Sequence, residues 1–332
     1  MPYANLVQQP CADKSELFCR LRDFICKRAG TYDYSASGIG WTLHDASYAS
    51  GNENAPALND WFVVFSPGER GNEDLFFRFV WVSGYIKIEG WLSWDSTVHT
   101  GAHQYNTSYN FYIADAGSYT LWIYGDLDAI SMHETTNASY NYRCAFGKLA
   151  NTGYDDTIAV SSAPVSAGTA VTIQLDMIPP DWSAGDKIYI RDSNGLEIIT
   201  ITSIGSSSIV ANVSSSYIAG CKLQKDIGYH CQSSYYNFSM ACVANRTTGA
   251  VAPCYSINAN INGYANPDEL NGYRGAVPIH IVAADGYYGQ LRHTLLCDNS
   301  SMTDGDVLIA QDGTMYRYLQ FYTSAYCLVK EV

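Results

Sequence analysis

Charge is what this chain has least of. Only 15% of its 332 residues are Asp, Glu, Lys or Arg, against about 25% in an ordinary soluble domain. Basic residues are the scarcer half: 19 Lys and Arg stand against 32 Asp and Glu, a formal net charge of −13. A protein whose main task is to grip nucleic acid needs clustered Lys and Arg to neutralise phosphates, and no such patch occurs. Long apolar runs are missing too, so no segment approaches the roughly 20 residues of a membrane-spanning helix. The opening stretch from Met1 to Val7 has neither a basic region nor an apolar run, so no signal peptide is expected. No two of the ten cysteines show CxxC spacing, which argues against a zinc site. Nucleophile-elbow, P-loop and His-Glu-x-x-His patterns are absent, as is any repeat of fixed period.

What remains is apolar and aromatic. Hydrophobic residues make up 47% of the chain and aromatics 14%, with 27 tyrosines. This composition can bury a sizeable core and is not that of a disordered chain. The length suits two domains, or one large domain with an insertion. A charge-poor, Tyr-rich surface suits protein interfaces; the plainer account is a large β protein, because aromatics favour strands. Without a signal peptide the thiols start in a reducing cytosol. Cys231, Cys242 and Cys254 lie close in sequence and could pair later; spacing does not set connectivity, so thiols and disulfides both stay open.

In chain order, residues 1–30 read as an N-terminal segment with one helix over 12–30. Leu17, Phe18, Leu21, Phe24 and Ile25 form its apolar stripe. Asp13 and Glu16 resemble a capping box, Lys27 and Arg28 suit the last turn, and Gly30 the stop. Cys19 and Cys26, seven residues apart, share a face away from the stripe; they are either two inert thiols or the mark of a second body, such as a neighbouring subunit, over that side. Residues 31–155 read as the first part of a β domain. Its strands are expected at Ile39–His44, Trp61–Phe65, Leu75–Val82, Tyr85–Trp94, Ser108–Ala114, Tyr119–Tyr124, Ala129–His133 and Tyr140–Ala145, with a hairpin at Ser83 and Gly84. Residues 156–224 lose most aromatics and read as a small inserted β-barrel-like module, with a hairpin signal at Asn194 and Gly195. Residues 225–332 return to the aromatic style and close the first domain, with strands at Ala276–Ala283, Tyr288–Leu296, Asp306–Ala310 and Tyr316–Val329. The fold class expected is mainly β, a sandwich or jelly-roll-like domain with one N-terminal helix and the inserted module.

Three stretches in series carry a resemblance: the Gly-Asn-Glu-Asp run ending at Asp74, Trp94 to Gly101 (WDSTVHTG), and Trp122 to Asp128 (WIYGDLD). Their order resembles a family of virion structural proteins of tailed bacteriophages, associated with the neck and tail, most clearly over about residues 40–145. The inserted module resembles one that recurs in phage and other large surface assemblies. The resemblance implies a non-enzymatic homo-oligomer in the virion, assembled in the host cytoplasm as a ring or collar. It would sit in the neck, collar, tail or baseplate, with copies of itself and tail tube, connector or capsid proteins as partners, and with no cofactor, nucleic acid or membrane. Leu17, Leu21, Phe24, Cys19, Cys26, Trp91 and Trp94 are the expected interface residues.

Residue types elsewhere admit other chemistry. Asp95, His99 and His103 share one loop and offer metal ligands, but no further ligand set is identifiable. Asp126 and Asp128 offer oxygens to Ca²⁺; capping a turn after a buried strand is the commoner use. Glu69, Glu73, Asp74, Glu89 and Asp95 are candidate glycosidase carboxylates. Trp91, Trp94 and the pair Tyr235 and Tyr236 offer rings to stack on sugars. The alternative readings are therefore a glycan- or receptor-binding surface protein or a capsid decoration protein, with a polysaccharide-degrading enzyme last.

Overall fold

The computed structural model describes residues 3–330 except 49–50, 69–74, 105–108, 114–116, 138–139, 150–158, 181, 194, 225–228, 235–240, 245–250, 258–275, 284–285, 298–302, 304, 311 and 322–324. The protein is mainly β, with one helix among the described residues and sheets of twelve, six and six strands. Met1–Ala150, Tyr229–Val243 and Pro253–Val332 form one unit; Asn151–Gly228 and Ala244–Ala252 form a second.

The first part of the chain carries β1 (Ala4–Cys11), α1 (Lys14–Ile25), β2 (Thr42–Ala46), β3 (Trp61–Ser66), β4 (Leu75–Val82), β5 (Tyr85–Asp95), β6 (Thr100–Gln104), β7 (Tyr109–Tyr112), β8 (Tyr119–Gly125), β9 (Ala129–Asn137) and β10 (Tyr140–Lys148). The sequence reading missed β1. It pairs antiparallel with β8, and its register shifts between Leu6 and Gln9, where Gln8 has φ 48. The polar Gln8, Gln9 and Pro10 hide the strand pattern, and proline is tolerated because β1 ends its sheet.

Helix α1 starts and stops for local reasons. Asp13 is extended and its carboxylate accepts from Glu16 N at 2.8 Å, while Glu16 Oε2 accepts from Ala12 N at 2.7 Å. The helix ends earlier than Gly30, because Lys27 turns left-handed at φ 52. Incoming backbone then satisfies the terminal carbonyls: Ile39 N donates to Phe24 O, and Gly40 and Trp41 N donate to Ile25 O. That task delays the next strand from the expected Ile39 to Thr42. Gly38 packs where a Cβ would lie 2.6 Å from Lys27 Cα.

β2 to β6 form a five-strand path, and β7 pairs with β5 beside it. The β4–β5 hairpin turns at Gly84, φ 83, as expected. One face carries Phe62, Val64, Phe77, Phe79, Ile86 and Ile88, all fully buried. Phe62 stacks on Phe79 at 4.8 Å and meets Phe18 of α1 at 4.9 Å; Phe77 and Phe79 meet Phe146 of β10 at 4.9 and 5.4 Å. These rings join the small sheet to the large one in a sandwich. Truncating one such ring to alanine costs about 3–5 kcal/mol.

The inserted unit contains β11 (Ala159–Val160), β12 (Gly168–Gln174), β13 (Lys187–Asp192), β14 (Gly195–Ile204), β15 (Ser208–Val213) and β16 (Lys222–Gln224), ordered β11-β16-β13-β14-β15-β12. The two ends meet: Ser162 N donates to Gln174 O and Asp176 N to Val160 O, both at 2.9 Å, with a bridge between Ser161 and Leu175. The sheet thus curls closed around Ile173, Ile188, Ile190, Ile199, Ile201, Ile209 and Leu223, its own core.

The returning chain adds β17 (Tyr229–Ser234), β18 (Ala241–Ala244), β19 (Val251–Ile257), β20 (Ala276–Ala283), β21 (Gly286–Cys297), β22 (Val307–Ile309), β23 (Met315–Phe321) and β24 (Ala325–Lys330). The large sheet runs β1-β8-β9-β10-β17-β18-β19-β20-β21-β24-β23-β22. The single strand expected over Tyr316–Val329 is a hairpin, with Leu319 opposite Cys327. β17 to β19 were not expected, because their Ser- and Cys-rich sequences show no clean alternation.

Candidate functional site

The second face of the small sheet is not built like the first. Cross-strand register sets three rows on it: Trp61, Val80 and Lys87; Val63, Arg78 and Glu89; Phe65, Phe76 and Trp91. Aromatics and charges are interleaved, and Trp61, Phe65, Trp91, Arg78 and Lys87 stay partly exposed. Trp94 joins the two remaining indoles. Its ring meets Trp61 and Trp91 at 5.8 Å each, both edge-on. Trp91 reaches it by lying across Gly101, where any Cβ would overlap the indole.

Charged groups lock these rings. Asp45 Oδ2 accepts from Trp94 Nε1 at 2.8 Å and sits 2.9 Å from His99 Nδ1. Arg78 lies 4.9 Å over the Trp61 ring and 5.9 Å from Trp94. Glu89, only 4% exposed, holds Arg78 at 3.3 Å and Lys87 at 2.6 Å. Each carboxylate on this face therefore has a basic partner.

The expected interface residues divide. Leu17, Leu21, Phe24 and Cys19 are completely buried inside this chain, and Cys26 is half-buried. The body over the cysteine face of α1 is the chain's own loop after β2, which corrects the expectation of a neighbouring subunit there. Cys19 Sγ lies 3.7 Å from Glu53 O; Arg22 donates to Glu53 O and to Asn54 Oδ1 and packs over Tyr48. Trp94 is 8% exposed and holds the cluster together, whereas Trp91 faces outward in part.

The metal and acid pairs do not assemble. Asp95 caps its turn, accepting from Thr97 N at 2.7 Å, and His99 turns to Asp45 instead. No group of three or more metal-ligating side chains occurs among the described residues; the side chain of His103 lies outside them, as do Glu69, Glu73, Asp74, Tyr235 and Tyr236. Glu89 and Asp95 stand six residues apart on one strand, ~20 Å by strand rise, beyond the roughly 5–9.5 Å that glycosidase carboxylates span.

Asp126 and Asp128 are structural. Asp126 Oδ1 accepts from Asp128 N and Ala129 N, the turn cap the sequence suggested. Its other oxygen pairs with His293 Nε2 at 2.7 Å, and Asp128 with Arg292 at 3.1 Å, a tie to β21 that no local signal announces. Burial opposes ionisation of Asp126, but His293 and the two amides hold its carboxyl at about 2. The cavity beside Arg292 and Lys148 has a volume of about 10 Å³, room for one water. No protein-family model matches this chain, and no curated protein matches it.

Proposed function

We propose that this protein is a structural component of a tailed-phage particle, in its neck, collar, tail or baseplate, and that it acts by oligomeric assembly with copies of itself and other virion proteins. The virion part of this reading is supported by the resemblance over about residues 40–145. The assembly part is carried by one observation, the edge of the twelve-strand sheet. β22 ends that sheet, and its Val307 and Ile309 are 46% and 71% exposed. A short strand is itself one way to blunt an edge, and β22 has only three residues; but those residues are Val-Leu-Ile, without the Lys, Pro or bulge that monomers add. An edge of this kind accepts another strand, giving backbone hydrogen bonds and apolar burial at once.

Sedimentation of the purified chain tests assembly: the wild type should run as a closed oligomer, and Val307→Lys with Ile309→Lys as a protomer. A monomeric wild type at micromolar concentration sinks the assembly reading. Immunogold labelling of virions tests location. Label at the neck or tail supports the proposal, label over the whole head makes the protein a capsid decoration protein, and unlabelled particles remove it from the virion.

A further inference from the structure

We propose that the outer face of the small sheet is a binding site for a neutral polysaccharide, with Trp61 and Trp91 as stacking platforms and His99 as a hydroxyl partner. The inference does not depend on the assembly reading, which concerns the other sheet.

Three observations carry it. First, the platforms are aromatic, partly exposed and rigid. Trp91 packs against Gly101 and edge-on against Trp94, and Trp61 has Arg78 over its ring and Trp94 at its edge; both indoles stay partly exposed. The apolar face of a sugar ring stacks on such a surface at little ordering cost, because these rings no longer have rotamers to lose. Second, the charges of the face are mixed in sign. Glu89 pairs with Arg78 and Lys87, Asp45 with His99, and the exposed Asp95 stands beside His99. Neither sign dominates, so the face favours neither a polyanion nor a polycation, and a neutral ligand suits it. Third, the polar rim is oriented. Asp45 accepts a hydrogen bond from Nδ1–H of His99, which fixes the ring of this 55% exposed side chain and leaves its other nitrogen to bond a hydroxyl. Trp61 and Trp91 are at most 11.6 Å apart, since each lies 5.8 Å from Trp94. Both platforms therefore lie within reach of one short oligosaccharide.

The test is affinity electrophoresis and tryptophan fluorescence of the full chain with dextran, mannan and the polyanion alginate. Saturable binding to dextran or mannan is expected, weakened on the order of tenfold or more by Trp91→Ala and several-fold by His99→Ala. Because His99 is exposed, its variant should keep the wild-type melting temperature even if Trp91→Ala does not. Binding to neither neutral polymer, binding to alginate alone, or binding indifferent to both substitutions overturns the proposal. So does a Trp91 contribution to fluorescence that is shielded from acrylamide in the wild-type oligomer and uncovered in the Ile309→Lys protomer, which would make this face a subunit contact.

Discussion

Glu134 on β9 is completely buried, and neither of its carboxyl oxygens has a hydrogen-bond partner among the described residues. Burial pushes its pKa up to about 8. An unfolded glutamate ionises above about pH 4.5 while the folded one stays protonated, so this residue's contribution is fully present below pH 4.5 and is lost as pH rises toward 8. The loss approaches 1.4 kcal/mol per pH unit at most. Urea denaturation at pH 5 and pH 8 should therefore show the wild type weakening over this range and Glu134→Gln weakening less. Asp126 behaves oppositely. Its lowered pKa makes a contribution present above about pH 4 and lost as pH falls toward 2, so Asp126→Asn should destabilise the protein at pH 7 and remove part of its acid sensitivity. The buried thiols of Cys11 and Cys19 are pushed to about 12 and about 11 by burial. They should resist alkylation at pH 8 until denaturant is added, a difference readable by mass spectrometry.

At the scale of elements, helix α1 depends on a cap that is local and a cover that is not. Asp13→Ala should cost about 1 kcal/mol in equilibrium denaturation, the usual value of a lost N-cap. The cap was legible from Asp13 and Glu16 alone. The loop that covers Cys19 was not, because it is pinned by Arg22, a charged residue whose burial depends on carbonyl and amide partners more than thirty residues away. The small sheet makes the same point at Gly101. Its neighbours read as turn sequence, yet the absent side chain makes room for Trp91. Gly101→Val should displace that indole, red-shift or quench its fluorescence and weaken the glycan binding proposed for this face, while leaving the inner face of the sheet intact.

At the scale of the whole molecule, the inserted unit has a closed ladder and a separate aliphatic core. Expressed from Asn151 to Gly228, it should unfold in one cooperative transition of its own, seen by circular dichroism. A non-cooperative melt would show that it needs the host unit.

Local pattern determined much of this protein. Aromatic-rich apolar runs bounded by turn residues marked strands β3, β4 and β5, the change of composition marked the insertion, and capping residues placed α1; each is written within a few neighbouring residues. Tertiary structure decided the rest. It set which face of the small sheet became core, because Phe77 and Phe79 find Phe146 across the sandwich and Trp61 and Trp91 do not. It joined Asp126 to His293 and Asp45 to Trp94 and His99. Such pairs are settled by which distant strands come to lie side by side, and a one-dimensional pattern holds no record of that.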